Sequence, residues 1–176
     1  MEQERKERPN RKRIRLPLFS YSSGGVYFIT ISVKDAVLCE IADCGDARPP
    51  EVRLTYDGLI VEKHISAIDR LKDVYVANYA IMPDHIHLLI GLVNPEGESE
   101  KANDPRKERI PRIVAGFKRL SQQEIGRPIY QRRYYDHVIR NERDYEETSR
   151  YIDDNPANWL ERQKWRESQR KKNCLP

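Results

Sequence analysis

The sequence predicts a single α+β domain built on an antiparallel sheet, and three observations support this fold class. Strand-like runs rich in β-branched and aromatic residues alternate with helix-like segments in the order strand, helix, two strands, helix, strand, helix. Two of the helix-like segments carry one apolar stripe each, so both can cover the same face of a sheet. The chain has 176 residues, which is enough for one proper core. This order is that of a ferredoxin-like (RRM-like) sandwich, which leaves the opposite face of the sheet free for a site.

The first strand and the first helix are the clearest elements. Residues 26–33, Val-Tyr-Phe-Ile-Thr-Ile-Ser-Val, are apolar enough on both faces to form a central strand. Residues 57–72 carry apolar side chains at helical spacing, and His64 lies on or beside that stripe, so we interpret it as structural. Between these elements, residues 34–56 contain two short apolar runs separated by glycine and proline, which predict an accessory hairpin.

The next predicted hairpin, over residues 73–93, carries two histidines on one strand. Its turn is Met-Pro-Asp at 82–84. Successive side chains on a strand point to opposite faces, so His85 and His87 share one face and Ile86 lies on the other. Two imidazoles on a rigid strand make half of a divalent-metal site, although the pattern alone is more often structural than metal-binding.

A polar loop and a second helix follow the hairpin. Residues 94–108 contain almost nothing apolar and predict a mobile loop. The helix is predicted over about 109–125, and Pro111 is tolerable there because it falls in the first turn.

The last elements are a short strand at 135–139 and a third helix that begins after Asn141. The helix is predicted to end near Asn155, because Pro156 disfavours helical conformation before it and can start another short helix. Tyr151 and Asn155 lie one turn apart and present a phenol beside an amide. Placed over the histidine pair, they could supply a nucleophile and a third ligand, although a tyrosine one turn before a helix-ending asparagine is also ordinary.

The chain is modestly basic, with a net charge of +4. Basic residues concentrate in an N-terminal arm (1–25) and a charged C-terminal tail (164–176), which flank the main domain (26–163). Basic ends often contact phosphates, and solubilising tails are an equal alternative. The candidate DNA contacts are Arg11, Lys12, Arg13, Arg15, Lys118, Arg119, Arg140 and Arg143.

The three cysteines show no zinc-ligand spacing, and no apolar leader or membrane-spanning run is present. We therefore expect a reduced, cytoplasmic protein without a membrane partner.

Three segments taken together resemble the single-tyrosine transposases of the His-hydrophobic-His (HUH) class. They are residues 82–87 (Met-Pro-Asp-His-Ile-His), 131–142 (Gln-Arg-Arg-Tyr-Tyr-Asp-His-Val-Ile-Arg-Asn-Glu) and 151–156 (Tyr-Ile-Asp-Asp-Asn-Pro). The resemblance is closest to the REP-associated tyrosine transposases and covers roughly residues 10–160. Asp84 stands where members often have asparagine, and Tyr130 where tryptophan is usual.

The resemblance implies a metal-dependent DNA nickase and strand transferase. His85, His87 and Asn155 would bind a divalent cation, Mg²⁺ or Mn²⁺. Tyr151 would attack a phosphodiester of single-stranded DNA, leaving a 5′-phosphotyrosine and a free 3′-hydroxyl. The implied partner is a palindromic, REP-like hairpin, and the protein is expected to be a monomer or a homodimer.

Two other functions are compatible with the same residues. One is a hairpin-binding regulatory protein that does not cut, and the other is a metal hydrolase without covalent chemistry. Tyr134, Tyr135 and Tyr145 compete with Tyr151 as nucleophile, and His137 is more readily explained by packing or hydrogen bonding than by metal binding. The third helix could dock on its own sheet or on that of a partner.

Overall fold

The computed structural model describes residues 25–45, 49–93 and 105–173. Its strands are β1 (Val26–Ser32), β2 (Cys39–Ala42), β3 (Glu51–Leu54), β4 (Val74–Ile81), β5 (His85–Leu92) and β6 (Tyr135–Ile139). Its helices are α1 (Tyr56–Ile68), α2 (Pro105–Ile125) and α3 (Glu142–Asn173).

Four strands form the main sheet in the order β4-β5-β1-β6, and each neighbouring pair is antiparallel. The predicted ferredoxin-like fold class is thereby confirmed, with β1 and β5 as the central strands. In the 34–56 segment, β2 and β3 pair as a separate two-stranded antiparallel unit.

The main sheet has one face covered by two helices. Ile29 pairs with Leu88 and Ile31 with Ile86 across β1 and β5, so these four side chains share one face. They belong to the larger hydrophobic core, together with Val61 of α1 and Val114 of α2. We call this the helix-covered face.

The opposite face, which we call the site face, carries Phe28, Thr30, His85, His87 and Leu89. This face was expected to be free for a site; neither α1 nor α2 covers it, but α3 packs on it.

Helix α3 packs on the site face of its own chain. Its Ile152 joins a small buried cluster with Val26, Leu89 and Ile139, all less than 5% exposed. The amide of Asn78 on β4 also donates hydrogen bonds to Ser149 Oγ (3.1 Å) and Asp153 Oδ1 (3.0 Å). The start of α3 is capped as predicted, because Asn141 Oδ1 accepts from the backbone N–H of Asp144 at 2.9 Å.

The predicted end of the third helix near Asn155 is wrong. Helix α3 continues through Pro156 to Asn173, so residues 164–173 of the predicted tail are helical. A proline inside a helix costs about 3 kcal/mol, which local propensity alone would not repay. Beyond the proline, the helix contacts the rest of the domain: the Trp159 ring lies 6.3 Å from the His85 ring, and Lys164 forms an ion pair with Asp43 at 2.6 Å.

Two other boundaries differ from the predictions. Helix α2 begins at Pro105 rather than near residue 109. The sequence did not reveal this first turn as helical, because its residues are polar and form no apolar stripe. Helix α1 ends at Ile68 rather than near residue 72, so Leu71 lies beyond it and is 47% exposed. The predicted arm, apart from Gly25, and residues 94–104 of the predicted loop fall outside the described residues.

Within the described ranges, the structure contains no helix with the length and apolar character needed to cross a bilayer.

Candidate active site

The two histidines lie together on the site face, as the strand alternation predicts. Their ring centroids are 4.6 Å apart. His85 Nδ1 lies 2.6 Å from Asp84 Oδ1, and His87 Nδ1 lies 2.9 Å from Thr30 Oγ1. Because each Nδ1 is engaged by an oxygen, Nε2 is the nitrogen that each ring retains for a ligand.

His87 is the more buried of the two, with only 3% of its surface exposed. Burial, the neighbouring His85 and then Arg162 lower the pKa of His87 to about 3. The imidazole is therefore neutral near pH 7 and keeps a lone pair available for coordination. Its Nε2 has no hydrogen-bond partner in the described part of the chain.

The side chain of Asn155 is also buried. It is 1% exposed, and neither its Oδ1 nor its Nδ2 has a hydrogen-bond partner among the described residues. One turn before it, the Tyr151 ring lies 5.3 Å from the His87 ring, and one turn after it, Trp159 lies against His85. Helix α3 therefore passes over the two histidines, and Asn155 lies along it between Tyr151 and Trp159.

The donor atoms of these three side chains are of the kinds that bind divalent metal ions. Buried polar atoms are normally satisfied, so each unpartnered one needs an explanation. Two imidazoles and an amide oxygen are donors that Mn²⁺ and Mg²⁺ sites can use, with imidazole favouring Mn²⁺. In the ranges that the structure describes, no group of three or more His, Cys, Asp or Glu side chains could hold a metal, so an amide would have to complete this site.

Tyr151 is placed differently from the tyrosines that serve the core. It is 47% exposed, and its hydroxyl makes no hydrogen bond to a described residue. Tyr130, by contrast, bonds to Ser121 Oγ at 2.9 Å, and burial raises its pKa to about 12. Tyr145 is partly buried against the small cluster under α3.

One competing tyrosine does reach the site face. Tyr135 on β6 pairs with Thr30, which in turn pairs with His87, so all three lie on the same face. Its ring is 59% exposed and lies 6.4 Å from that of Phe28. The alternative that Tyr135 is the nucleophile therefore stays open to experiment.

The predicted DNA contacts are scattered. Lys118 donates to the backbone carbonyls of residues 131–133 at 2.9 to 3.5 Å, so its ammonium ties α2 to the segment before β6. It also lines a cleft of about 620 Å³ with Arg119, and this cleft shares no lining residue with the histidine site. Arg143 pairs with Glu147 at 2.7 Å, and Arg140 is exposed. Arg11, Lys12, Arg13 and Arg15 lie outside the described residues.

The remaining histidines have structural partners. His137 Nε2 lies 3.0 Å from Asp144 Oδ2, and His64 Nε2 lies 2.9 Å from Glu124 Oε2. Both observations agree with the interpretation made from the sequence.

Sequence reasoning missed three neighbours of the site: Thr30, Phe28 and Trp159. Phe28 stacks on His87 at 5.2 Å. The alternation of β1 could have placed Phe28 and Thr30 on the face opposite Ile29, but it does not reveal which strand lies alongside. Trp159 was missed because the helix was expected to end before it.

Comparison with known proteins identifies the family. The model of the family described as "Transposase IS200 like" matches residues 55–155, which is more than half of the chain. The chain belongs to the IS200-like transposase family. A Haemophilus influenzae (strain Rd) protein without an assigned function is 30% identical over 171 residues, covering 85% of this chain and 90% of that one. A second protein of the same strain, provisionally named REP-associated tyrosine transposase, is 26% identical over 146 residues, covering 78% and 73% respectively.

A solved structure has the same fold as this IS200-like transposase. It is a REP-associated tyrosine transposase bound to a REP hairpin, with a TM-score of 0.50, 24% identity, and coverage of 77% of this chain and 68% of that one. Together with the family match and the second relative, it confirms the resemblance to REP-associated tyrosine transposases that the sequence predicted.

Proposed function

We propose that this IS200-like transposase is a single-stranded DNA nickase and strand transferase that acts on palindromic hairpins through a covalent phosphotyrosine. One observation carries the proposal: Tyr151, half exposed and without a hydrogen bond to any described residue, stands against His87, which is buried and neutral. Membership of a transposase family supports the same reaction class.

In this reaction Tyr151 Oη forms a bond to phosphorus as the bond from phosphorus to the 3′-oxygen breaks. The tyrosine loses its proton, and the departing 3′-oxygen gains one. A phenol with a pKa near ~10 is almost wholly protonated at neutral pH, so the step needs assistance. An incoming 3′-hydroxyl can reverse it, because the phosphotyrosine retains the energy of the phosphodiester.

We assign metal binding to His85, His87 and Asn155. A divalent ion held there would neutralise charge on the phosphate and orient it for in-line attack. His87 Nε2 and Asn155 Oδ1 support this assignment, because both are buried and neither has a hydrogen-bond partner within the described ranges. The choice between Mg²⁺ and Mn²⁺ is left to experiment, and histidine ligands favour Mn²⁺.

The proposed substrate is a hairpin with single-stranded flanks. The solved relative is a complex with a REP hairpin, and that partner supports the same class of ligand here. Phosphate contacts would come from the basic residues of the arm and of the described domain, which are Arg11, Lys12, Arg13, Arg15, Lys118, Arg119, Arg140 and Arg143.

The test is a denaturing gel of purified protein with end-labelled hairpin DNA and Mn²⁺. We expect a protease-sensitive, protein-sized adduct with the wild-type protein and none with Tyr151→Phe. Tyr135→Phe is the matched control, because it removes the hydroxyl of the other exposed tyrosine on the same face.

Each other outcome points elsewhere. Loss of the adduct in Tyr135→Phe alone would transfer the nucleophile to Tyr135. Free nicked product without an adduct would indicate a hydrolase. DNA that is bound in a native gel yet never cut would indicate a regulatory binding protein.

A further inference from the structure

A cleft of about 380 Å³ opens beside the candidate nucleophile, between β6 and α3. Tyr151 forms part of its wall, so any ligand in the cleft lies against the tyrosine that we propose to attack DNA. The volume falls within the range of about 300–1,000 Å³ that small-molecule sites occupy. The metal-site residues His85 and Asn155 do not line it, so it adds a second binding surface to the site.

The walls of this cleft are aromatic. Phe28 contacts two tyrosine rings edge-on, Tyr135 at 6.4 Å and Tyr151 at 6.0 Å. Tyr135 leaves 59% of its surface exposed and forms no hydrogen bond to a described residue. Because most of this ring is exposed, one of its faces is available for a flat ligand to stack on. Unpaired bases stack on aromatic side chains, and all four bases can do so.

Two carboxylates also line the cleft, and each is held by a basic partner. Asp144 is paired with His137, and Glu147 is paired with Arg143. Carboxylate oxygens accept hydrogen bonds from base amino groups, and Arg143 offers a cation to the adjoining phosphate. The polar groups of the cleft therefore suit a base whose backbone stays outside.

We propose that this cleft binds one unpaired nucleobase next to the scissile phosphate, stacked on the ring of Tyr135. The inference rests on the proposed function, because it takes single-stranded DNA as the ligand. It adds a base-binding site beside Tyr151, in a cleft that His85 and His87 do not line, and this site would fix which nucleotide stands beside the cut. Tyr135 is then a substrate-binding residue rather than a competing nucleophile.

The test is an abasic scan of hairpin DNA with full-length protein carrying Tyr151→Phe, so that binding is measured without cleavage. Single abasic sites are placed in turn at each nucleotide of the single-stranded flanks, and Kd is measured by fluorescence anisotropy. We expect one position at which loss of the base weakens binding by about 5- to 150-fold, the range for one stacked base. Adding Tyr135→Leu should weaken binding of intact DNA by a similar factor and remove the sensitivity at that position.

Two further variants separate stacking from general damage. Tyr135→Phe keeps the ring and should retain the abasic sensitivity. Tyr56→Leu removes another exposed tyrosine, 74% exposed on α1, and should behave like the parent protein.

The inference is overturned if Tyr135→Leu binds intact DNA as tightly as Tyr56→Leu does. It is also overturned if Tyr135→Leu weakens binding but every abasic site still weakens it further by the same factor as before. Because the scan requires only binding, a protein that binds hairpins but forms no adduct would refute the proposed function and still test the cleft. A protein that binds no hairpin or single-stranded DNA would refute both.

Discussion

The two faces of the four-stranded sheet carry opposite kinds of side chain, although they alternate along the same strands. On β5, Ile86 and Leu88 point toward α1 and α2 and are at most 1% exposed. Between and beside them, His85 and His87 point toward α3. Residue parity along one strand therefore decides whether a side chain joins the core or the site.

The faces also differ in whether their buried polar atoms have hydrogen-bond partners. The helix-covered face holds the large hydrophobic cluster, whereas the buried apolar cluster on the site face consists of four residues. The site face also contains His87 Nε2 and the side-chain amide of Asn155, which have no hydrogen-bond partner in the described part of the chain. Buried polar atoms without partners oppose folding, so this face gives up stability that a bound ligand can restore.

The largest expected effect comes from breaking the apolar face. Ile86→Ala should lower the free energy of unfolding by about 2–5 kcal/mol, because it removes a fully buried side chain and leaves a cavity. His87→Ala, one residue away on the other face, should lower it less. The imidazole that this change removes buries Nε2 without a hydrogen-bond partner among the described residues, and that burial already opposes folding. Urea denaturation in the presence of a chelator measures both. Equal losses would mean that His87 is an ordinary core residue.

The second prediction concerns pH. His87 has a pKa of about 3 in the folded protein and about 6.5 in the unfolded chain. Between these two pH values the imidazole is mostly protonated in the unfolded chain and mostly neutral in the folded protein. Stability is therefore intact above pH 6.5 and is lost as the pH falls toward 3, by at most about 1.4 kcal/mol per pH unit from this group. The groups that face His87 and oppose its charge are His85 and Arg162.

Denaturation of metal-free protein between pH 5 and 7 measures this slope, with His87→Gln as the control because glutamine does not titrate. The wild-type protein should lose more stability than the variant across this interval. Parallel curves would contradict the assigned shift.

A smaller effect should come from the residue that orients the histidine. Thr30→Val keeps the shape of the side chain but removes the oxygen 2.9 Å from His87 Nδ1. Loss of such an orienting partner typically weakens metal binding by about 10- to 100-fold, and we expect the lower end here. Thr30→Ser keeps the hydroxyl and should bind Mn²⁺ nearly as the wild type does. Calorimetric titration compares the three proteins, and an unchanged affinity in Thr30→Val would remove Thr30 from the site.

Much of this division between faces could be predicted from local pattern. The alternation over 85–90 places the histidines opposite the isoleucines, and the capping asparagine at 141 marks the start of α3. The family resemblance supplied the pairing of Tyr151 with Asn155 over the histidines.

What could not be predicted depends on contacts distant in sequence. Thr30 orients a histidine 57 residues away only because β1 lies beside β5 in the sheet. Local propensity at Pro156 indicated the end of a helix, whereas α3 continues through it and contacts the domain again at Trp159. The burial of Asn155 could not be anticipated either, since it depends on how α3 crosses the sheet.

We propose that His85, His87 and Asn155 form a metal site, and titration with Mn²⁺ is the test of that proposal. Asn155→Leu has a similar shape but no donor oxygen, and a His85→Ala, His87→Ala double variant supplies the baseline. Calorimetry should show one Mn²⁺ per chain in the wild-type protein, clearly weaker binding in Asn155→Leu, and none in the double variant, with thermal melting showing that each is folded. Equal Mn²⁺ affinity in the wild type and Asn155→Leu, or no binding by the wild type, would contradict it.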